Sequence, residues 1–298
     1  MGARMTVRNW VLLGLLSILW GGAFLFVDIA LEGLPPLSIV FGRVSLACLT
    51  LAVLMRLMGQ PFPKGAAQWR ALGVMGLLNN AIPFSLFVFA QGHISGSVAA
   101  ILNATTPLFT VVVAHFALRD EPMTAGKLVG LALGFAGVVV MVGGVQSSAV
   151  GWSMLACLGA ALSYGFAGVW GRRFRALGVA PMTTAFGQLA SSTMIIAPLW
   201  VMVDRPWAEA MPSLRVVSAV VAIAVFSSAL AYLIFFKLLA EAGAVNVSLV
   251  TFVIPVSAAV LGWLVLGHGL EARHFAGFGL IALGLIAIDG RVMRWGKR

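Results

Sequence analysis

Apolar residues run along this chain in blocks of about twenty, separated by short breaks of charged residues, glycine and proline. At 1.5 Å rise per residue, such blocks match helices that cross the hydrocarbon core of a bilayer. Apolar windows read against the breaks predict ten spans, at about 10–31, 36–58, 69–90, 95–117, 124–144, 151–171, 181–203, 214–237, 243–266 and 273–291. The connections are short, as at Leu34-Pro35-Pro36 and Gln146-Ser147-Ser148, and none is long enough to fold a soluble domain. The predicted fold class is an all-α membrane protein of ten transmembrane helices. The first run, Trp10 to Val27, follows Arg4 and Arg8 as a signal sequence would. It is too long for a signal peptide and reads as a retained first helix.

Composition sharpens this picture. Of 298 residues, 61% are hydrophobic and 9% charged, with a mean hydropathy of +1.05. A soluble domain would carry about a quarter charged residues, and a disordered chain would be far less apolar. The net charge of +10 does not form a patch with interleaved aromatics, so nucleic acid is not an expected partner. Instead Lys and Arg gather on alternate connections, where they meet anionic lipid headgroups. One side holds Arg4, Arg8, Arg56, Lys64, Arg70, Arg119, Lys127, Arg172, Arg173, Arg175, Lys237, Arg291, Arg294, Lys297 and Arg298, fifteen of the nineteen. The other holds Arg205, Arg215 and Arg273, and Arg43 lies within the second span. The bias predicts an even number of spans and both termini in the cytoplasm. Cys48 and Cys157 sit inside apolar runs, so they read as small core residues and not as a disulfide or a metal site.

The second half of the chain repeats the first. At an offset of 148, Asn80, Phe84, Asn103 and Pro107 match Ser228, Tyr232, Thr251 and Pro255. Near 144 to 145, Trp20-Gly21 matches Tyr164-Gly165, and Phe41-Gly42-Arg43 matches Phe186-Gly187-Gln188. At 147, Gly130 and Gly137 match Gly277 and Gly284. The chain therefore divides into residues 1–147 (spans one to five) and 148–298 (spans six to ten). Five is odd, so the second copy enters from the opposite face and the halves are inverted repeats. Two such halves exchanging conformations give inward-open and outward-open states of similar energy, with a solute site between them.

Ten spans as five plus five, Trp20-Gly21 in span one, Asn103-Ala104-Thr105-Thr106-Pro107 in span four and Leu118-Arg119-Asp120-Glu121 before span five resemble the EamA-type drug/metabolite transporters. The glycine-rich fifth and tenth spans share that resemblance, which covers the whole chain. Within the superfamily the chain is most similar to bacterial exporters of amino acids, the aromatic amino-acid exporters included. One departure stands out: His268-Gly269 occupies the position matching Glu121. The resemblance implies that spans one, three, four, six, eight and nine surround a central cavity.

Polar residues within spans are costly in lipid and are expected to face the bundle interior. Span three offers Asn79, then Asn80, Phe84 and Phe87 on one stripe; span eight presents Ser228 and Tyr232 at the same spacing. Span four supplies Asn103 and Thr106, span nine Thr251, and spans one and six the matched Trp20 and Tyr164. These residues predict a cavity of rings, amides and hydroxyls without fixed charge, suited to neutral or zwitterionic solutes. Asn, Ser and Thr in spans also glue helices together, and Trp and Tyr also anchor at interfaces. Pro107 and Pro255 are expected hinges, each freeing a carbonyl one turn earlier. Gly126, Gly130 and Gly134 open a groove for span four or ten within a monomer, which we favour over dimerisation.

No phosphate-binding loop, HExxH or GxSxG motif is present in the sequence, so neither a nucleotide-driven pump nor a common membrane hydrolase is expected, and no catalytic residue, metal or cofactor is assigned. Acids are nearly absent from the spans; Asp28, Glu32 and Asp289 lie at span ends. Facilitated flux or exchange is therefore expected before proton coupling. The sequence reads as an alternating-access exporter of amino acids and related small metabolites in the bacterial inner membrane. A carrier of drugs, sugars or nucleotide precursors is the neighbouring alternative, and a polytopic membrane enzyme or scaffold the alternative of another class.

Overall fold

The computed structural model describes residues 6–118, 123–142, 148–208, 210–242, 247 and 250–289. Among them the chain forms ten successive helical runs. These are α1 (Val7–Ala30), α2 (Pro36–Leu57), α3 (Gly65–Gln91), α4 (Gly96–Ala117) and α5 (Ala125–Val142). Then come α6 (Ser148–Ala176), α7 (Pro181–Val203), α8 (Leu214–Leu238), α9 (Val250–Leu266) and α10 (Ala272–Asp289). The stretch Arg119-Asp120-Glu121, the Gln146-Ser147 junction and the basic C-terminal cluster from Arg291 lie outside the described residues.

Seven of these runs, α1 to α4 and α6 to α8, are long and apolar enough to cross a bilayer. The other three carry shorter apolar stretches, Ala125–Val140, Val253–Leu266 and Ala272–Ala287. Ten spanning helices were expected; the described residues show seven of that length, and α5, α9 and α10 each end against residues outside the described ones. The predicted ninth span, 243–266, is described only from Val250 onward, apart from Val247.

Local chemistry sets the starts of several helices. The Oγ1 of Thr6 accepts from the Asn9 amide, and Ser95 and Ser213 cap α4 and α8 in the same way. Pro36 and Pro181 open α2 and α7, where the missing N–H costs nothing. Two interior features were not expected. A π-helical turn at Leu77–Ala81 interrupts α3, and another at Ile223–Leu230 interrupts α8, at positions the repeat pairs. The carbonyls around the first are held by neighbours: Ser163 donates to the Leu78 oxygen and Ser192 to the Gly76 oxygen. In α4 the helix breaks at Ala104-Thr105, immediately before Thr106-Pro107.

Two pairs of helices matched by the repeat, α2 with α7 and α5 with α10, run antiparallel. Along α2 and α7, Ser38 and Phe41 meet Asp204 and Trp200 at one end, whereas Pro61 and Phe62 meet Thr183 and Phe186 at the other. Along α5 and α10, Gly137 faces Gly277 and Ile281 while Gly284 faces Gly130 and Gly134. The predicted glycine groove is thus filled by α10, and also by α4 through Leu108 against Gly134. The remaining helices cross between halves in matched pairs. Gly21 of α1 lies against Ser257 and Ala258 of α9, and its mate Gly165 of α6 against Phe109 and Thr110 of α4. Gly42 of α2 lies against Val220 of α8, and Gly187 of α7 against Leu72 of α3. Each contact on one half therefore has its counterpart on the other, as a two-fold relation between oppositely directed copies requires. The largest apolar core is built from both halves, joining Val44 and Leu51 of α2 to Leu189 and Ile196 of α7.

Candidate functional site

A cavity of about 610 Å³ lies between the halves, well within the range of small-molecule sites. Ten of the residues singled out from the sequence line it: Trp20, Asn79, Phe84, Phe87, Asn103, Thr106, Tyr164, Ser228, Tyr232 and Thr251. Asn80 does not. It is fully buried within reach of the Tyr232 hydroxyl, and its amide makes no hydrogen bond of ordinary geometry. The π turn explains the miss. One extra residue per turn rotates the helix face, so Asn79 takes the place that a regular α-helix would give Asn80.

Rings form much of the wall. Trp20 packs against Phe235 at 5.6 Å between centroids, Phe24 edge-on to Phe87 at 5.7 Å, and Phe87 alongside Tyr164 at 6.2 Å. Thr106 donates to the Asn103 side-chain oxygen at 3.3 Å across the break in α4. Pro107 sits at that break, whereas Pro255 lies inside a continuous helix.

The wall also includes α2 and α7, which were not among the six expected helices. From α7, Gln188 spans the halves: its carbonyl accepts from Asn79 Nδ2 at 3.0 Å and its Nε2 donates to the Tyr232 hydroxyl at 3.0 Å. From α2 comes Arg43, the repeat mate of Gln188. Its guanidinium carbon stands 3.6 Å from the centroid of Phe84, the mate of Tyr232, and its Nε donates to Ser228 Oγ at 3.3 Å. The expectation of a cavity without fixed charge is therefore wrong. Arg43 was legible as a lone cation inside an apolar span, and its match to Gln188 was the signal that both belong to the site.

Toward one end of the cavity, Gln91 donates to Asp28 Oδ1 at 2.7 Å and to the Phe24 carbonyl at 2.8 Å. The other Asp28 oxygen accepts from the Gly96 amide at 2.9 Å and lies 3.5 Å from His268 Nδ1. This knot ties α1, α3, α4 and the approach to α10 together. Among the described residues no cluster of His, Cys, Asp and Glu is arranged to hold a metal ion.

A polytopic helical bundle whose oppositely directed halves enclose a ring-lined hollow has the architecture of a membrane carrier. The profile of the EamA-like transporter family matches residues 8–143 and again residues 151–288. The chain belongs to that family, and it is a multi-pass membrane transporter. It is 26% identical to a protein of Escherichia coli named as the uncharacterized inner membrane transporter YedA, over 92% of this chain and 88% of that one. It is 26% identical to an uncharacterized transporter of Archaeoglobus fulgidus, over 95% and 99% of the two chains. Protein PecM of Dickeya dadantii is 27% identical over 80% of this chain and 79% of its own. A solved crystal structure superposes with a TM-score of 0.66 at 18% identity, covering 95% of this chain and 97% of that one, which shows the fold alone.

Proposed function

We propose that this chain is a ten-span carrier of the bacterial inner membrane that exports amino acids and related small metabolites by alternating access. Aromatic and other neutral amino acids are the favoured solutes. Residues 1–147 and 148–298 act as the two inverted five-span repeats, with both termini in the cytoplasm and α5, α9 and α10 crossing as well. The carrier works as a monomer, in contact with membrane lipid, with no cofactor and no catalytic step.

One observation carries this reading: the cavity of about 610 Å³ is bounded by matched residues of both halves, Trp20 with Tyr164, Asn103 with Thr251, Phe84 with Tyr232 and Arg43 with Gln188. A change in how the halves pack would move every member of those pairs together. Pro107 at the break in α4, with Pro255 in α9, supplies the articulation. The ring-rich wall is also what a drug carrier offers, but the amide and hydroxyls of Asn103, Thr106 and Thr251 in that wall favour solutes with hydrogen-bonding groups.

Counterflow in proteoliposomes with a panel of amino acids tests the proposal. Accumulation of at least one aromatic or neutral amino acid supports it, and absence of exchange for the whole panel refutes it. Repeating the assay with and without a pH gradient tests facilitated exchange, which a strict gradient requirement would overturn.

A further inference from the structure

An arginine inside a membrane bundle is expensive unless a partner meets its charge, and such residues mark solute paths. Arg43 has no such partner. No Asp or Glu among the described residues lines the cavity or pairs with it. A guanidinium carries five N–H donors. Only its Nε meets a protein acceptor, Ser228 Oγ, and its terminal nitrogens are left open toward the cavity. The face of Phe84 offsets part of the charge but offers no hydrogen-bond acceptor.

The mate position shows what a satisfied residue looks like here. Gln188 uses both ends of its amide on Asn79 and Tyr232, so it closes a protein network and leaves little for a solute. Charge and open donors thus fall on one half of a pseudo-symmetric site. Around them stand apolar rings, Trp20, Phe24, Phe87 and Tyr164, that suit the body of a solute and not its charged end.

We infer that Arg43 is the anion anchor of the cavity and that the solutes carried are monocarboxylates with an apolar, ring-sized body, the carboxylate forked on the guanidinium. This rests on the carrier reading above and narrows it: an amino group is tolerated, whereas a carboxylate is required. Guanidinium geometry matches a carboxylate in a two-bond fork that an ammonium cannot reproduce.

The test measures binding by isothermal titration to the purified full-length protein in nanodiscs, using phenylacetate, L-phenylalanine and phenethylamine. These share a ring and differ in which charged group they carry. Phenylacetate and phenylalanine are expected to bind, and phenethylamine at least about tenfold more weakly, the scale of one charge-assisted hydrogen bond. Arg43→Gln is expected to erase the ranking, and Arg43→Lys to keep its order with weaker binding. The wild-type ranking stands alone if a variant fails to fold. Equal or tighter binding of phenethylamine, binding of none of the three, or an unchanged ranking in Arg43→Gln overturns the inference. Counterflow of the same panel separates the two readings. Flux with phenethylamine preferred defeats the anchor and leaves the carrier standing; carboxylate binding without flux of any solute defeats the carrier and leaves the anchor.

Discussion

Arg43 stands over the face of Phe84, its guanidinium carbon 3.6 Å from the ring centroid, and so an α2 cation rests on an α3 ring at the boundary between the halves. A cation on an aromatic face gains about 0.5 to 2 kcal/mol, the larger figure when water is excluded. Phe84→Leu keeps an apolar side chain and removes the ring quadrupole. The expected outcome is a monodisperse protein whose apparent affinity in counterflow falls about two- to tenfold. Unchanged affinity means that the ring does not position the guanidinium.

The glycines between α5 and α10 give a sharper stability contrast. A Cβ on Gly137 would sit 2.5 Å from the Gly277 carbonyl and 3.0 Å from the Ile281 amide, both backbone atoms that cannot swing away. Gly14, also helical, has nothing within 4 Å of such a Cβ. Gly137→Ala is expected to cost about 1 to 3 kcal/mol, whereas Gly14→Ala is neutral or stabilising by up to about 1 kcal/mol. Thermal unfolding of both variants in one detergent checks this, and equal melting temperatures would contradict the close packing of α5 on α10.

Asp204, at the end of α7, does a cap's work for a different helix. Pro35 gives α2 no side-chain cap, and the Asp204 carboxylate accepts from the Ser38 amide at 2.6 Å and from its hydroxyl at 3.0 Å. Trp200 donates to the same hydroxyl at 2.9 Å. Removing a cap costs about 1 to 2 kcal/mol. Asp204→Ala should therefore lower the melting temperature, and Asp204→Asn, which still offers an oxygen, should recover much of the loss. Wild-type melting in Asp204→Ala would show that water replaces the carboxylate.

The arrangement of the chain was largely legible because the lipid imposes it: apolar blocks, basic breaks and matched glycines all follow from crossing a bilayer and packing closely there. The antiparallel mates α2 with α7 and α5 with α10 are what the expected odd number of spans per copy requires. What escaped is tertiary. The π turns at Leu77–Ala81 and Ile223–Leu230 depend on which neighbours hold the loosened carbonyls, such as Ser163 and Ser192, and no local pattern in α3 announces them. The first of them turns Asn80 inward and Asn79 toward the hollow. Arg43 was seen but counted only as one of the few cations off the basic side; its place beside Phe84 needed the fold.

Orientation gives a prediction independent of the cavity. Alkaline phosphatase fused after residue 175 or at the C-terminus should be inactive, and green fluorescent protein at the same sites fluorescent, with the reverse for fusions between α7 and α8. This follows from the basic residues Arg172, Arg173 and Arg175 against the sparser Arg205 and Arg215. Like signals from 175 and the α7–α8 connection would break the alternation.

Alternation of access is the central claim, and a pair of cysteines reads it most directly. Thr184, near the start of α7, and Gln91, at the end of α3, line opposite ends of the cavity. With Cys48 and Cys157 replaced by alanine, Thr184→Cys and Gln91→Cys are labelled by a membrane-impermeant maleimide in proteoliposomes, with and without phenylalanine on one side. The account predicts opposite changes, one site protected as the other becomes more reactive. Solute-independent labelling at both sites, or protection of both together, would contradict it.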